Sequence, residues 1–347
     1  MSLAIYILKR VAQALPTVLA VSIIGFFLMR YHIALGPIEI PTASGPIRLL
    51  ERVELKQPID PLADLRQNPQ ISPQALAKEE ERLGLDQPLL VQYWRWLTHF
   101  IQLDLGQTNK GENVATLLAS RSGNTLLLNL LSMLVTWGLA IPLGVYAAIY
   151  WRSAADRLLT LFSSIGMAFP GFVLALILAM LAVQTGWFPV GGLTSSHFSS
   201  LSFPEQLLDM AHHLVLPVAV LGFSGIAGLM RQMRGNLLDV LQAEYVKTAR
   251  AKGLPEWLVI YKHAVRNAIN PLVTMLGYEL AAMLSGTVLI ETVLNYPGLG
   301  FLTYQAAIQG DANLVMASLV LSCLMLIVGN LLADLLLHWV DPRVGLA

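Results

Sequence analysis

Long apolar runs separated by polar segments dominate the pattern of this 347-residue chain. A bilayer core about 30 Å thick needs roughly 20 apolar residues of helix. The pattern therefore predicts an integral membrane protein made of helices. Five runs are long enough to span a bilayer: Val11–Met29, Leu126–Tyr150, Leu158–Val183, Pro271–Leu294 and Leu314–Val340.

A sixth run, Leu214–Met230, is shorter and contains Pro217 and several glycines. We count it as a span because, without it, the basic stretch after it and the loop before it would share one side of the membrane. The sequence thus predicts an all-α integral membrane fold with six transmembrane helices. We do not interpret the first run as a cleaved signal peptide, because it is long and no small-residue cleavage site follows it.

The basic residues of the short loops predict the orientation, because cytoplasmic loops are enriched in Lys and Arg. Lys9 and Arg10 precede the first span, whereas the loops at 184–213 and 295–313 contain neither residue type. We therefore expect both termini in the cytoplasm. Further basic residues on the same side are Arg152, Arg157, Arg231, Arg234, Lys247, Arg250, Lys252, Lys262, Arg266 and Arg343.

The spans divide the chain into three predicted parts. Residues 1–30 form a cytoplasmic N-terminus and the first helix, 31–122 an external subdomain, and 123–347 a five-helix membrane core. The subdomain begins with short alternations typical of strand or loop.

Two helices are predicted in the rest of this subdomain. Ser72 and Pro73 suit a helix start, and Gly84 suits its end. The run Pro88–Leu103, rich in aromatic residues, indicates an amphipathic helix at the membrane interface.

Composition agrees with a membrane location and narrows the function. Apolar residues make up 55% of the chain and charged residues 13%, against about a quarter charged in soluble domains. The net charge of zero gives no electrostatic basis for binding nucleic acid. The lone Cys323 cannot form an internal disulfide, and the adjacent pair His212 and His213 lacks a spaced Cys or carboxylate partner, so we predict no metal site.

The most informative stretch is Leu237–Pro271, between the predicted fourth and fifth spans. A helix ends with cations in its last turn, Gly253 stops it, and Pro255 with Glu256 starts a second helix. The result is a helix–glycine turn–helix on the cytoplasmic side. It is too long for a simple connection between helices.

The residues alone leave two interpretations of this segment open. Ala249 and Ala251 lie beside the glycine, and Tyr245 supplies an aromatic anchor, which suits insertion into a partner's groove. The five basic residues of the stretch equally suit a helix that lies on anionic lipid headgroups.

The strings "EYVKTARAKGL" and "HAVRNAINP" resemble the EAA-type loop of permease subunits in bacterial ABC importers, specifically the B-type permease of the dipeptide, oligopeptide and nickel systems. Further similar strings run in order along the chain, from about Asp60 to Arg343, and the first span is similar as well. They are "LGLDQPLLVQYWRWL", "LDLGQT", "IPLGVYAA", "HLVLPVAVLG", "ETVLNYPGLG" and "DPR".

This resemblance implies a type I importer fold in the bacterial inner membrane. It implies a second permease subunit, identical or different, two cytoplasmic ATPases that hold ATP and Mg²⁺, and an external solute-binding protein. No cofactor is expected on this chain, which lacks a G-x-x-x-x-G-K-[ST] string and is expected to have no catalytic site. The loop at 237–270 would be the coupling segment, with contacts from Glu244, Tyr245, Thr248, Ala249, Ala251, Lys252, Gly253 and Leu254.

The chain departs from the family pattern in two places. The usual P-G-D-P string after the first span has its counterpart in Pro58–Pro61, which an external insertion precedes. Lys247, Thr248 and Ala249 fill the positions of the shorter E-A-A consensus, as is usual in the peptide branch. The second departure favours peptide over sugar importers.

Ionisable residues inside spans are costly and are expected to face the bundle interior. Glu279, Glu291 and Asp334 are therefore candidates for the translocation pathway, and so is Asn330, which shares a helix face with Asp334 one turn later. The alternative is a structural role between helices. A rival function is an ion-coupled secondary transporter in which Glu279 and Asp334 relay protons. Such a transporter predicts weakly repeated halves, which this sequence does not display.

Overall fold

The structure, a computed structural model, describes residues 3–30, 32–40, 47–56, 66, 72–83, 87–273, 275–276 and 287–340. Among these residues, helices predominate and one strand hairpin interrupts them. The helices are α1 (Leu3–Arg30), α2 (Pro73–Leu83), α3 (Leu89–Ile101), α4 (Val114–Ile149), α5 (Ala154–Ala168), α6 (Gly171–Thr185), α7 (Phe203–Leu241), α8 (Glu244–Ala251), α9 (Glu256–Leu258), α10 (Arg266–Ala268), α11 (Val288–Val293), α12 (Leu299–Ile308) and α13 (Ala312–Val340). A 3₁₀ turn covers Phe198–Ser200, a π-helix covers Val259–Val265, and the strands are β1 (His32–Ile40) and β2 (Ile47–Lys56).

Two compact units organise the described residues. The first unit draws on 1–10, 121–301 and 325–347, and the second on 11–120 and 302–324. The predicted three-part division follows the spans instead, and it stays a prediction.

The core of the first unit joins the long apolar helices to the predicted coupling segment at 237–270. Buried side chains of α4, α7, α8 and the π-helix form one apolar cluster, in which Met233, Leu237, Val246 and Val259 are fully buried. Burying apolar side chains in one cluster is the main stabilising contribution to such packing. The helix–turn–helix is therefore packed against the ends of the long helices.

The predicted span Leu158–Val183 is wrong as a single helix. The structure breaks it into α5 and α6, which meet at an angle of 100°. Pro170 has no backbone N–H to continue a helix, and it forces the preceding Phe169 out of the helical region, to φ −88° and ψ 125°. Neither half is long enough to cross a bilayer alone.

The second unit contains most of the predicted external segment, and its first part, predicted as strand or loop, contains two strands. Strands β1 and β2 pair antiparallel from His32 opposite Lys56 to Ile40 opposite Ile47, with one irregularity at Ile38 and Glu39. Helices α2 and α3 confirm the two helices predicted from the sequence.

Helix α3 packs against the first helix of the chain. The Ser22 and Tyr93 hydroxyls lie 2.9 Å apart and are both buried. Phe26 stacks edge-on against the Tyr93 ring, and Met316 completes the cluster. An adjacent face of α3 leaves Trp94 and Ile101 exposed, as the predicted interfacial helix requires.

Three described helices are long and apolar enough to cross a membrane by themselves: α4, α7 and α13 within Ala312–Leu332. The bent pair α5 and α6 adds a fourth span if it is counted as one. Helix α1 covers the predicted first span, and part of the predicted fifth span lies outside the described residues. Several spans are thus present, and the count of six stays a prediction.

Candidate coupling site and buried polar residues

Helix α8 is an eight-residue helix that presents a polar face to solvent. Tyr245 is 46% exposed at its start. The Lys247 ammonium lies 2.7 Å from the Glu244 carboxylate on the same face, and the Thr248 hydroxyl donates to the Glu244 carbonyl. This face can meet a partner, because nothing in the described chain covers it.

The predicted contact at Ala249 is not on this face. Ala249 is only 7% exposed and packs with Val246 in the core of the first unit. Residues three apart share one side of a helix, so Val246 and Ala249 together form its inner face. Of the other predicted contact residues, Leu254 is half-buried and the rest are exposed: Glu244, Tyr245, Thr248, Ala251, Lys252 and Gly253.

The turn after α8 depends on glycine. Gly253 has φ +73°, a left-handed conformation that costs other L-residues about 1–2 kcal/mol. Across this turn the Arg250 guanidinium lies 2.7 Å from the Glu256 carboxylate. The guanidinium lowers the pKa of Glu256 and the carboxylate raises the pKa of Arg250, so the ion pair persists at neutral pH.

The second helix of the segment is held from behind by α7. The Asn236 amide donates to the Ala268 carbonyl over 3.1 Å, and Val259 and Ala264 are buried in the same core as α8. Between α9 and α10 the chain is a π-helix. This form is rare in proteins, and where it occurs it is frequently at a functional site. Trp257 on α9 and Tyr261 on the π-helix are both exposed.

Two pathway candidates on α13 differ in their surroundings. The Asp334 carboxylate lies 2.8 Å from the Arg10 guanidinium, whose Nε donates to the Tyr6 hydroxyl. The Arg10 and Asp334 side chains are close enough to form an ion pair, but their geometry does not give a well-aligned hydrogen bond. Asn330 is exposed one turn earlier. The pairing with Arg10 favours the structural interpretation of Asp334.

The other two candidates lie on the predicted fifth span. Glu279 is outside the described residues. Glu291 is fully buried, and its carboxylate accepts hydrogen bonds from the Thr125 and Thr287 hydroxyls, each at 2.8 Å. In this conformation the Glu291 oxygens face protein rather than an open pathway.

Residues 140–346 match the family described as the inner membrane component of binding-protein-dependent transport systems, which is more than half of the chain. The chain belongs to this family. It is a multi-pass membrane protein and a transport component, the permease of an ABC importer.

Similar proteins cover almost the whole permease. It is 37% identical to the oligopeptide transport system permease protein AppB of Bacillus subtilis (strain 168) over 99% of both chains. It is 34% identical to the glutathione transport system permease protein GsiC of Salmonella paratyphi A over 98% of both. A probable peptide ABC transporter permease protein, y4tP, of Sinorhizobium fredii is 33% identical over 99% of both.

These similarities confirm the family that the sequence motifs indicated, and they give no support to the secondary-transporter alternative.

The permease also contains polar residues that sequence reasoning missed as a group. Asp156 and Arg234 are 78 positions apart and form a two-pronged ion pair with distances of 2.6 and 3.0 Å. In the sequence each residue is a single charge in a predicted cytoplasmic segment, and no pattern links the two.

Proposed function

We propose that this permease forms half of the translocation pathway of an ATP-driven importer of peptides or related small solutes. A second permease subunit completes the pathway, and two cytoplasmic ATPases bind ATP and Mg²⁺ and drive it. An external solute-binding protein delivers the cargo. Both termini of the permease then lie in the cytoplasm, as its loop charges predict.

The observation that carries this proposal is the two-faced helix α8. Its outer side, with Tyr245 as the aromatic residue, seats in a groove of the ATPase. Its inner side, Val246 and Ala249, belongs to a core shared with α4 and α7. A displacement of α8 by the ATPase therefore moves the membrane helices with it, because packed cores transmit displacement.

Peptides are the proposed substrate class because the relatives are named for oligopeptide, glutathione and peptide transport. The sequence at 247–249 agrees, since it follows the peptide branch rather than the shorter consensus. In such importers the solute-binding protein largely selects the cargo. The permease supplies a pathway that is open to one side at a time.

Replacing Tyr245 tests the coupling assignment. We expect Tyr245→Ala to lower the amount of ATPase that co-purifies with the complex by at least about tenfold, because central aromatic residues carry much of an interface's energy. The matched control is Tyr261→Ala on the π-helix, an exposed tyrosine in the same segment but outside the contact set. This control is expected to retain the ATPases.

Equal retention of the ATPases by both tyrosine variants would contradict the assignment. If the segment instead lies on lipid headgroups, Tyr245→Ala leaves ATPase association intact. In that case, replacing Arg250 and Lys252 with Ala reduces the preference of the purified permease for anionic over neutral lipids. The two interpretations thus differ in which variant has an effect.

A further inference from the structure

The outer loop after α11 is built around one buried carboxylate. Glu291 is 0% exposed. One of its oxygens, Oε1, accepts from the Thr125 and Thr287 hydroxyls, and the other, Oε2, accepts from the Phe301 backbone N–H over 3.0 Å. The carboxylate therefore joins α4, α11 and the start of α12 at one point.

A second layer of hydrogen bonds ties the same loop to α4. The Thr125 hydroxyl, while donating to Glu291, accepts from the Leu299 backbone N–H over 2.8 Å. The Tyr296 hydroxyl donates to the Asn124 carbonyl, and the Asn124 amide donates to the Pro297 carbonyl, each over 2.8 Å. Loop residues 295–301 are thus fastened to two consecutive residues of α4.

The glycines of the string "NYPGLG" are explained by this arrangement. A Cβ at Gly298 would overlap the Glu291 carboxylate. A Cβ at Gly300 would lie 2.8 Å from Val288, which real Cβ atoms do not do. The loop backbone therefore approaches the carboxylate more closely than any side chain would allow.

A buried carboxylate is tolerated only where hydrogen bonds compensate for lost water. The groups that bond to Glu291 are two hydroxyls and one amide, all of them neutral. Hydroxyls can donate or accept, whereas a backbone N–H only donates. The site thus requires a hydrogen-bond acceptor opposite the Phe301 N–H. Opposite the two threonine hydroxyls, either an acceptor or a donor can be accommodated.

We propose that Glu291 is the positioning residue of the outer loop 295–301, holding it against α4 in the one shape that the solute-binding protein engages. Engagement of the loop by the solute-binding protein rests on the proposed function, whereas attachment of the loop to α4 does not. In this role Glu291 neither contacts cargo nor relays protons. Its carboxylate acts through the loop.

Hydrogen exchange of the assembled complex in lipid nanodiscs tests the positioning. We expect Glu291→Ala and Gly298→Ala each to speed amide exchange in peptides covering 295–301 by at least about tenfold, because the loop loses its central acceptor or is pushed from it. Exchange at α8 is expected to stay unchanged. The matched control is Gly123→Ala, an exposed helical glycine two residues from Thr125 whose added Cβ meets nothing within 4 Å.

The conservative variant Glu291→Gln separates hydrogen bonding from charge. Its carbonyl can accept from Phe301 N–H while its amide donates to the two threonine oxygens, so exchange within about threefold of the unaltered protein is expected. Glutamine as disruptive as alanine would overturn the proposal, because charge would then be the property required. Unchanged loop exchange in Glu291→Ala, or faster exchange throughout the chain, would overturn it as well.

Stimulation of ATP hydrolysis tests the consequence for docking. With a peptide-loaded solute-binding protein, Glu291→Ala is expected to raise the concentration for half-maximal stimulation about tenfold, with the maximal rate unchanged. A lower maximal rate with unchanged half-maximal concentration would contradict a docking role. Absence of stimulation in the unaltered complex would contradict the proposed function instead, and the exchange result would still decide the role of Glu291.

Discussion

The Asp156 carboxylate connects the start of α5 and the loop before it to the C-terminal part of α7. It accepts two hydrogen bonds from the Arg234 guanidinium and one, over 2.9 Å, from the Arg152 backbone N–H. The Asp156 side chain is 5% exposed and that of Arg234 is 26% exposed. Arg234 is the main cause of the lowered pKa of Asp156. The pair is thus a largely buried link between two helices.

Removing one partner of this pair is expected to destabilise the permease. Asp156→Asn leaves the Arg234 charge poorly compensated, at a cost of about 2–3 kcal/mol, somewhat below that of a fully buried pair. The measurement is unfolding in detergent micelles, and the control is Asp239→Asn, an exposed carboxylate on α7, the helix that carries Arg234. The loss of stability in the double variant Asp156→Asn with Arg234→Gln should be smaller than the sum of the losses in the two single variants. Strict additivity would contradict the link.

The same pair predicts a dependence on pH. The folded-state pKa of Asp156 lies below the unfolded value of about 3.9, so the stabilisation is complete above that value. It is lost as the pH falls through the folded pKa. The stability difference between the unaltered protein and Asp156→Asn should therefore be constant from about pH 8 to pH 5 and should shrink below about pH 4. A difference that grows on acidification would contradict this sign.

At the scale of elements, the two faces of α8 make separable predictions. Ala249→Leu inserts three heavy atoms into a filled core, which costs about 1–3 kcal/mol in overpacking. Ala251→Leu adds the same atoms on the exposed side and should leave unfolding unchanged while it weakens ATPase association. Thermal unfolding and co-purification of the ATPases measure the two effects. The assignment of faces would be wrong if Ala251→Leu were the less stable variant.

The orientation of α8 was not predictable from its sequence, for a physical reason. Alanine is found on both faces of so short a helix, and Ala249 and Ala251 differ in that only Ala249 packs in the core with α7 and the π-helix. The one available signal was Val246, an apolar residue three positions before Ala249 in a polar stretch. The helix–glycine turn–helix itself was predictable, because caps and breakers act locally.

The broken span had a local signal that hydropathy concealed. Pro170 and Gly171 lie inside an apolar run that is long enough for one helix, and length alone predicted a single span. Proline disfavours the helical conformation of the residue before it, and α5 ends at Ala168, directly before Phe169. The partners of Glu291 had no such signal, because Thr125 is 166 positions away in sequence. Contacts at that range are decided by packing.

At the scale of the whole molecule, the first unit contains both the exposed face of α8 and the buried network behind loop 295–301. Helix α4 contributes to both, since Asn124 and Thr125 hold the loop and Ala140, Val145 and Ala148 enter the core beneath α8. Helix α7, at 39 residues, is also longer than a bilayer requires. Long helices of this kind are suited to carry a displacement from one side of a membrane to the other.

This arrangement predicts that ATP, rather than an ion gradient, drives import. Proteoliposomes with the complete complex, a peptide-loaded solute-binding protein outside and ATP inside should accumulate peptide, and a protonophore should leave the uptake unchanged. Tyr245→Ala should abolish uptake because the ATPases no longer engage α8, whereas Tyr261→Ala should not. Uptake driven by an imposed pH gradient without ATP would contradict coupling through α8. Proton transfer through the ionisable residues of the spans, rather than ATP hydrolysis acting through α8, would then drive uptake.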